Sequence, residues 1–270
     1  MTRGRLAAAL VAVAVAAVLG VLVAARGGAS PVSAAAAKTS RASAHLVFSL
    51  ALRGPRGTVQ ASGSGVIEGP NADLTVRDSG APAGFPSALH AILVRQGKDE
   101  LAFVHATPMP AFTGGKDWIE LDLSQLASAH GIDLGGLAAA DSTLTPARVL
   151  DLLRQAGASV ENLGSATVGG AETTHYRVRV DLAELAKAAG FAAPITGRLG
   201  PRASQAVPVD VWIGRDGLLH RVSLDVHRGA REASFEATLA PSTSGVAITA
   251  PPSSDVLDAT SLLAGLGAGA

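Results

Sequence analysis

The chain has 270 residues, no cysteine, a formal net charge of zero and only 3% aromatic residues. This length is enough to bury a sizeable core in one domain. Without cysteine there is no disulfide framework, thiolate metal site or acylated cysteine. No run of five or more Lys or Arg occurs, so nucleic-acid binding has no support.

Residues 1–37 read as an export segment. Arg3 and Arg5 precede an uncharged run from Leu6 to Ala25, and Val32-Ser33-Ala34 is typical of a signal-peptidase site. The 20-residue run is long for a signal peptide and long enough to span a bilayer. A cleaved signal peptide and an uncleaved membrane anchor both stay open. Either one places the chain from residue 38 onward outside the cytoplasm, in the cell envelope or secreted.

Alternating apolar residues then predict a first block of strands separated by tight turns. The predicted strands lie at residues 44–52, 58–68, 72–77, 90–96, 101–106 and 117–123. Strands that follow each other through short turns favour an antiparallel meander.

The periodicity changes to that of helices at residues 124–137, 145–157 and 181–189. A second strand block follows the middle helix, with predicted strands at 159–168, 172–180, 207–213, 218–226, 231–239 and 246–250. Residues 253–270 form an apolar tail or a short helix. The order predicts an α+β fold, a large antiparallel sheet that curls into a half-barrel with helices on its concave face.

Residues 207–226 (VPVDVWIGRDGLLHRVSLDV) are predicted to form a hairpin, and the alternation of residues along its two strands predicts the direction of each side chain. Strand parity points Val209 and Val211 inward and puts Trp212 on the opposite face. On the return strand the inward candidates are Leu218, His220, Val222, Leu224 and Val226.

No catalytic or metal signature is present in the sequence. The seven histidines are scattered, and none forms an H-x-x-x-H pattern. Gly63-Ser64-Gly65 lies inside a predicted strand rather than in a strand-to-helix elbow, so a bend in the sheet explains it. We therefore expect no enzyme activity, no metal and no cofactor.

A basic stripe on one predicted strand has two interpretations. His175, Arg177 and Arg179 alternate along it and could hold an acidic head group. Cross-strand pairing with a carboxylate such as Asp210 or Asp225 is the favoured interpretation.

Five stretches in order resemble the LppX/LprG-type mycobacterial lipoproteins of the LolA-like lipoprotein-carrier superfamily. They are residues 115–123 (GKDWIELDL), 146–154 (PARVLDLLR), 160–164 (VENLG), 172–178 (ETTHYRV) and 207–213 (VPVDVWI), followed by Asp216-Gly217. The resemblance covers about residues 40–250 and implies that residues 38–252 form a LolA-like lipid-binding domain. This chain lacks the lipobox cysteine of those lipoproteins, so any membrane tether must be the segment from Leu6 to Ala25.

The resemblance implies a curved sheet wrapped around helices, with an apolar cavity that binds a lipid or a lipidated molecule. Candidate lining residues are Phe48, Leu50, Ile92, Phe103, Trp118, Tyr176, Val209 and Val211. The corresponding function is an exported, non-enzymatic carrier or sensor. The alternative is a membrane-anchored envelope module with a filled core that contacts a protein partner. Pattern alone does not separate the two, because both need the same inward aliphatic face.

Overall fold

A computed structural model gives the fold. It describes residues 31–54, 57–79, 86–97, 99–107, 113–123, 125, 159–180, 207–228, 231–242 and 245–261. The helices predicted at 145–157 and 181–189, nearly all of the one at 124–137, and the apolar run at residues 6–25 lie outside these residues. Within the part that is described, no helix has the length and apolar character needed to cross a membrane.

The structure gives the bounds of one α-helix, α1, of a 3-10 helix at Ser253–Asp255 and of twelve strands, β1 to β12, and most of the described residues are in strands. Their bounds are α1 Pro31–Thr39, β1 Ser43–Gly54, β2 Gly57–Glu68, β3 Asn71–Asp78, β4 Ala88–Gln96, β5 Asp99–Thr107, β6 Trp118–Asp122, β7 Ser159–Val168, β8 Ala171–Val180, β9 Val207–Gly214, β10 Leu219–Arg228, β11 Arg231–Ser242 and β12 Val256–Asp258.

All twelve strands belong to one large sheet in the order β12-β6-β5-β4-β3-β2-β1-β11-β10-β9-β8-β7. Strands β1 to β6 form one meander and β7 to β11 a second. The antiparallel pairing of β1 with β11 joins the two meanders across the length of the chain. Among the described strands only β12 is parallel to its neighbour, β6. The predicted antiparallel sheet is therefore confirmed.

Local sequence explains why the sheet has one strongly apolar face. In β1 the buried residues alternate with exposed ones from Ala44 to Leu50. Residues paired across antiparallel strands lie on the same face. Phe48 pairs with Gly63 on one side and with Ala237 on the other, so buried residues continue from strand to strand.

Helix α1 packs on this apolar face, which we call the helix face. Its Val32, Ala35 and Ala36 belong to the same buried cluster as the inward residues of β1, β2, β3 and β9 to β11. The helix lies against β9 and β10. Most of this helix lies within residues 1–37, which the sequence pattern predicts to be an export segment.

The C-terminal region differs from the prediction in two respects. The strand predicted at 246–250 is wrong, because residues 245–252 are in no ladder. The amide of Val246 instead donates to the Glu68 carboxylate at 2.9 Å. The edge strand β12 lies at Val256–Asp258, within the segment predicted as a tail or short helix, and Val256 pairs with Trp118.

Candidate functional site

The helix face is the candidate ligand-binding surface, and cross-strand pairing builds it. Tyr176 on β8 pairs with Val211 on β9, which pairs with Val222 on β10. Val222 pairs with Ala237 on β11, and Ala237 pairs with Phe48 on β1. This row runs across five strands and contains only apolar residues and one tyrosine. Such a surface suits an acyl chain, which needs smooth apolar contact.

Five of the eight candidate lining residues lie together on the helix face. Phe48, Leu50 and Val211 are buried in its cluster, whereas Tyr176 and Val209 are partly exposed and pack against it. The burial of the first three does not separate a cavity wall from a filled core.

Two further residues complete the partly exposed end of this face. Val178 pairs with Val209, and Leu224 pairs with Val209 from the other side. Both pack against the same cluster. The candidate set omitted them, although both occupy alternate positions of the strands that supply Tyr176 and Val222. The parity of the hairpin already predicts that Leu224 faces inward, and counting every second residue along β8 from Tyr176 finds Val178 as well.

The other three candidates lie on the opposite face of the sheet. Ile92 and Phe103 form a second buried cluster, with Trp118 packed against it. Ile248, Ala250 and Val256 of the C-terminal region pack against the same cluster. The reason is strand parity, since Ile92 pairs with Asp73 while the next residue, Leu93, pairs with Ala72 of the helix face. These three residues are not brought together with Phe48.

Trp118 also contacts two histidines on this opposite face. Its ring centroid lies 5.0 Å from that of His90 and 5.7 Å from that of His105. His90 Nε2 is 2.6 Å from Asp73 Oδ1, and His105 Nδ1 is 2.7 Å from the Asp117 carbonyl oxygen. Both histidines therefore have local structural partners. Within the described residues, no group of three or more His, Asp or Glu is placed to hold a metal ion.

The basic stripe of β8 pairs with a carboxylate, as predicted. Arg177 donates to Asp210 through Nε at 2.9 Å and through Nη2 at 3.1 Å, and His175 Nε2 lies 3.0 Å from the same carboxylate. Burial by itself would raise the pKa of Asp210. The hydrogen bonds and charges of Arg177 and His175 outweigh burial and hold that pKa below its ordinary value.

Trp212 lies on the face opposite the helix face, in agreement with its predicted parity. Its ring stacks on His175 with centroids 4.3 Å apart and planes 7° apart. Arg221 lies on the neighbouring strand β10. Its guanidinium is 4.9 Å from the Trp212 ring centroid and donates to Glu236 at 2.5 Å. His175, Trp212, Arg221 and Glu236 thus form a row of contacting side chains, which we call the polar ladder. The tryptophan therefore does not line the helix face.

The predicted inward direction of His220 is wrong because a β-bulge shifts the register at this residue. The register of β9 and β10 shifts between Leu219 and Arg221. Leu219 therefore packs in the helix-face cluster, and the His220 ring lies beside Gly214, whose missing side chain leaves room for it. His220 Nε2 is 3.1 Å from Asp216 Oδ2. His220 is a buried residue at the bulge of β10 and does not face inward.

A pocket of about 250 Å³ lies near the hairpin of β7 and β8. Thr167, Thr173 and Thr174 line it, together with the ion pair of Glu172 and Arg215. A polar lining of this kind does not suit an acyl chain. None of its lining residues belongs to the helix-face cluster.

Comparison with known proteins returns weak similarities. No protein-family model matches the chain. An uncharacterised 31.2 kDa protein encoded in the rplA-rplJ intergenic region of Streptomyces griseus is 28% identical over 218 residues, which cover 76% of this chain and 70% of that protein.

Similar solved structures include two mycobacterial lipoproteins. LppX of Mycobacterium tuberculosis has a TM-score of 0.40 at 16% identity, covering 79% of this chain and 92% of LppX. LprF of Mycobacterium bovis has a TM-score of 0.39 at 16% identity, covering 81% and 93%. The MucA/MucB complex of Pseudomonas aeruginosa gives 0.33 at 11% identity, covering 80% and 58%. TM-scores of this size indicate loose agreement of the backbone path. The family of this chain stays a prediction from its sequence motifs.

Proposed function

We propose that this protein is an exported, non-enzymatic carrier or sensor of lipid-like apolar molecules, which it binds against the helix face of the sheet. The supporting observation is the apolar row that crosses β8, β9, β10, β11 and β1, with partly exposed apolar residues at one end. The end residues are Tyr176, Val178, Val209 and Leu224. The sequence resemblance to LolA-like lipoproteins points to the same function.

The chemistry of this face matches a long aliphatic ligand. Each methylene moved from water to an apolar surface contributes about 0.8 kcal/mol. An acyl chain of a dozen carbons would gain roughly 10 kcal/mol before the entropy lost on binding. Affinity of this origin needs no strong polar anchor. The polar ladder around Trp212 faces the other side of the sheet, where it has structural partners.

The test is native mass spectrometry of protein purified without detergent, followed by titration with a fluorescent fatty acid. We expect a co-purifying lipid and saturable uptake. Val209→Thr and Leu224→Asn place a polar atom on the binding face at small change in volume, and both should weaken uptake. Val47→Thr is the matched control, because Val47 is 60% exposed on the opposite face. Protein that carries no lipid and takes up no fatty acid would refute the proposal.

A second candidate function is the membrane-anchored envelope module that contacts a protein partner. The feature that favours it is β7, the last strand in the sheet order. Val160 and Leu163 on this strand are 42% and 38% exposed. An end strand with exposed apolar side chains is suited to pairing with a strand of another protein. A photo-crosslinker at residue 160 that yields one defined partner, with none at residue 47 and no bound lipid, would favour this candidate.

A further inference from the structure

We infer that α1 is the first element of the mature domain, and that any signal-peptide cleavage falls upstream of it rather than at Val32-Ser33-Ala34. The inference uses one part of the proposed function, that the chain is exported. It does not depend on the lipid ligand. It places Pro31–Thr39 within the folded domain, whereas the sequence pattern predicts that the domain begins at residue 38.

One side of α1 is buried against the sheet. Val32 is 6% exposed, Ala35 is 2% exposed and Ala36 is 0% exposed, whereas Ala34 and Lys38 point to solvent. The three buried residues lie in the same core cluster as Val211 and Leu219. A cut after residue 34 removes Val32 and leaves five helical residues, which are too few to hold a helix against the sheet.

Thr39 of α1 makes a hydrogen bond to the β-bulge of the sheet. The Thr39 hydroxyl donates to the Ala35 carbonyl oxygen and accepts the backbone N–H of Leu219, both at 2.8 Å. Leu219 is 1% exposed and lies at the β-bulge, where the ladder is interrupted. Its amide would be buried without a partner if α1 did not hold Thr39 in place, and an unpaired buried amide is costly.

Lys38 links the end of α1 to the turn between β9 and β10 by a hydrogen bond. Its Nζ donates to the Asp216 carbonyl oxygen at 2.5 Å. Asp216 in turn accepts the N–H of Leu218 at 2.9 Å. Both ends of the contact are thus fixed, and the last turn of α1 is part of the hairpin structure.

The sequence offers a processing site that leaves α1 whole. Gly27-Gly28-Ala29 has small residues at the two positions that signal peptidase reads. A cut after Ala29 leaves Ser30-Pro31, which is typical of a helix start with serine as cap and proline as first helical residue. Signal peptidase acts before folding, so burial does not protect Val32-Ser33-Ala34. The difference is that only the upstream cut yields a chain that completes the fold.

The first test maps the N-terminus of the full chain in an exporting bacterial host by intact mass of the secreted and membrane fractions. We expect Ser30 or a more upstream residue, including Met1 in the membrane. Ala29→Leu should block or shift processing, whereas Ala34→Leu, on the exposed side of α1, should leave the N-terminus unchanged. A folded protein that starts between residues 33 and 38, or processing blocked by Ala34→Leu alone, would overturn the inference. Met1 found only in the cytoplasm would overturn the export element and, with it, the processing site.

The second test measures packing and is independent of export. In the full chain, Ala36→Arg places a charge against the core and should lower the melting temperature by more than about 5 °C. Ala34→Arg is the matched control, because Ala34 lies two residues away on the exposed side of α1, and this variant should leave the melting temperature unchanged. Equal melting temperatures for the two variants would show that α1 does not pack on the sheet, whatever the N-terminus proves to be.

Discussion

Replacing Gly63 by alanine tests whether β2 and Phe48 are in contact on the helix face. Gly63 pairs with Phe48 in the ladder. A Cβ atom on Gly63 would lie 2.4 Å from Phe48 Cζ and 2.5 Å from the backbone oxygen of Thr75. Real Cβ contacts are not that short, so either the phenyl ring or the strand must shift. The glycine therefore creates the space that the ring fills.

The expected cost follows from overpacking. Inserting a methyl group into a closely packed site costs about 1–3 kcal/mol. In a domain of this size, a loss of 1 kcal/mol lowers the melting temperature by roughly 2–4 °C. Gly63→Ala should therefore melt about 2–12 °C below the wild type. Gly54→Ala is the control, because no atom lies within 4 Å of its Cβ and its backbone is outside the left-handed region.

A double-mutant cycle with Phe48→Leu separates the two contacts. The shorter leucine removes the clash with the ring and keeps the clash with the Thr75 oxygen. The double variant should then be less destabilised than the sum of the single variants, without recovering fully. Thermal and urea unfolding of the full chain give these values. Gly63→Ala and Gly54→Ala with the same stability would show that the ring is elsewhere and would refute this reasoning.

Three other variants test particular contacts by urea unfolding. Thr39→Val should cost about 1–3 kcal/mol, because a buried strand amide loses its acceptor, and Thr39→Ser should restore it; equal stability of both would contradict this. Asp210→Asn should be less stable at neutral pH. The lowered pKa of Asp210 means that its contribution is present above the ordinary value and is lost as pH falls through the folded value, so the deficit should shrink in acid; a deficit that is constant with pH would count against the ion pair. Burial, Asp258 and Asp122 raise the pKa of Glu120, so Glu120→Gln should be slightly more stable at neutral pH and lose that advantage as pH falls through the raised value and then the ordinary one.

Local pattern was enough to predict most strands and one ion pair. The alternation in β1 places Leu46, Phe48 and Leu50 on one face because successive side chains of a strand point to opposite sides. The same parity put Trp212 away from Val211. The basic stripe with Arg177 was expected to pair with a carboxylate of a neighbouring strand, such as Asp210 or Asp225, because opposite charges on one face attract each other, and the structure selects Asp210.

The extent of α1 was not predictable from its own residues. Its sequence, PVSAAAAKT, has no clear apolar stripe, and small residues are also typical of a signal-peptidase site. What fixes it is contact with β9 and β10, more than 160 positions later in the chain. Helical stability of a short segment comes mainly from such packing.

The split of the candidate site had the same kind of cause. Alternation within a strand separates two sets of side chains but does not say which set joins Phe48 and which joins Trp118. In β4 both sets are apolar, since Ala91, Ile92 and Leu93 are all buried. The sequence by itself determined most of the strands, their turns and the aliphatic character of the helix face. Only the tertiary structure decided which face each strand presents and where the bulge at His220 lies, because register is set by pairing between distant strands.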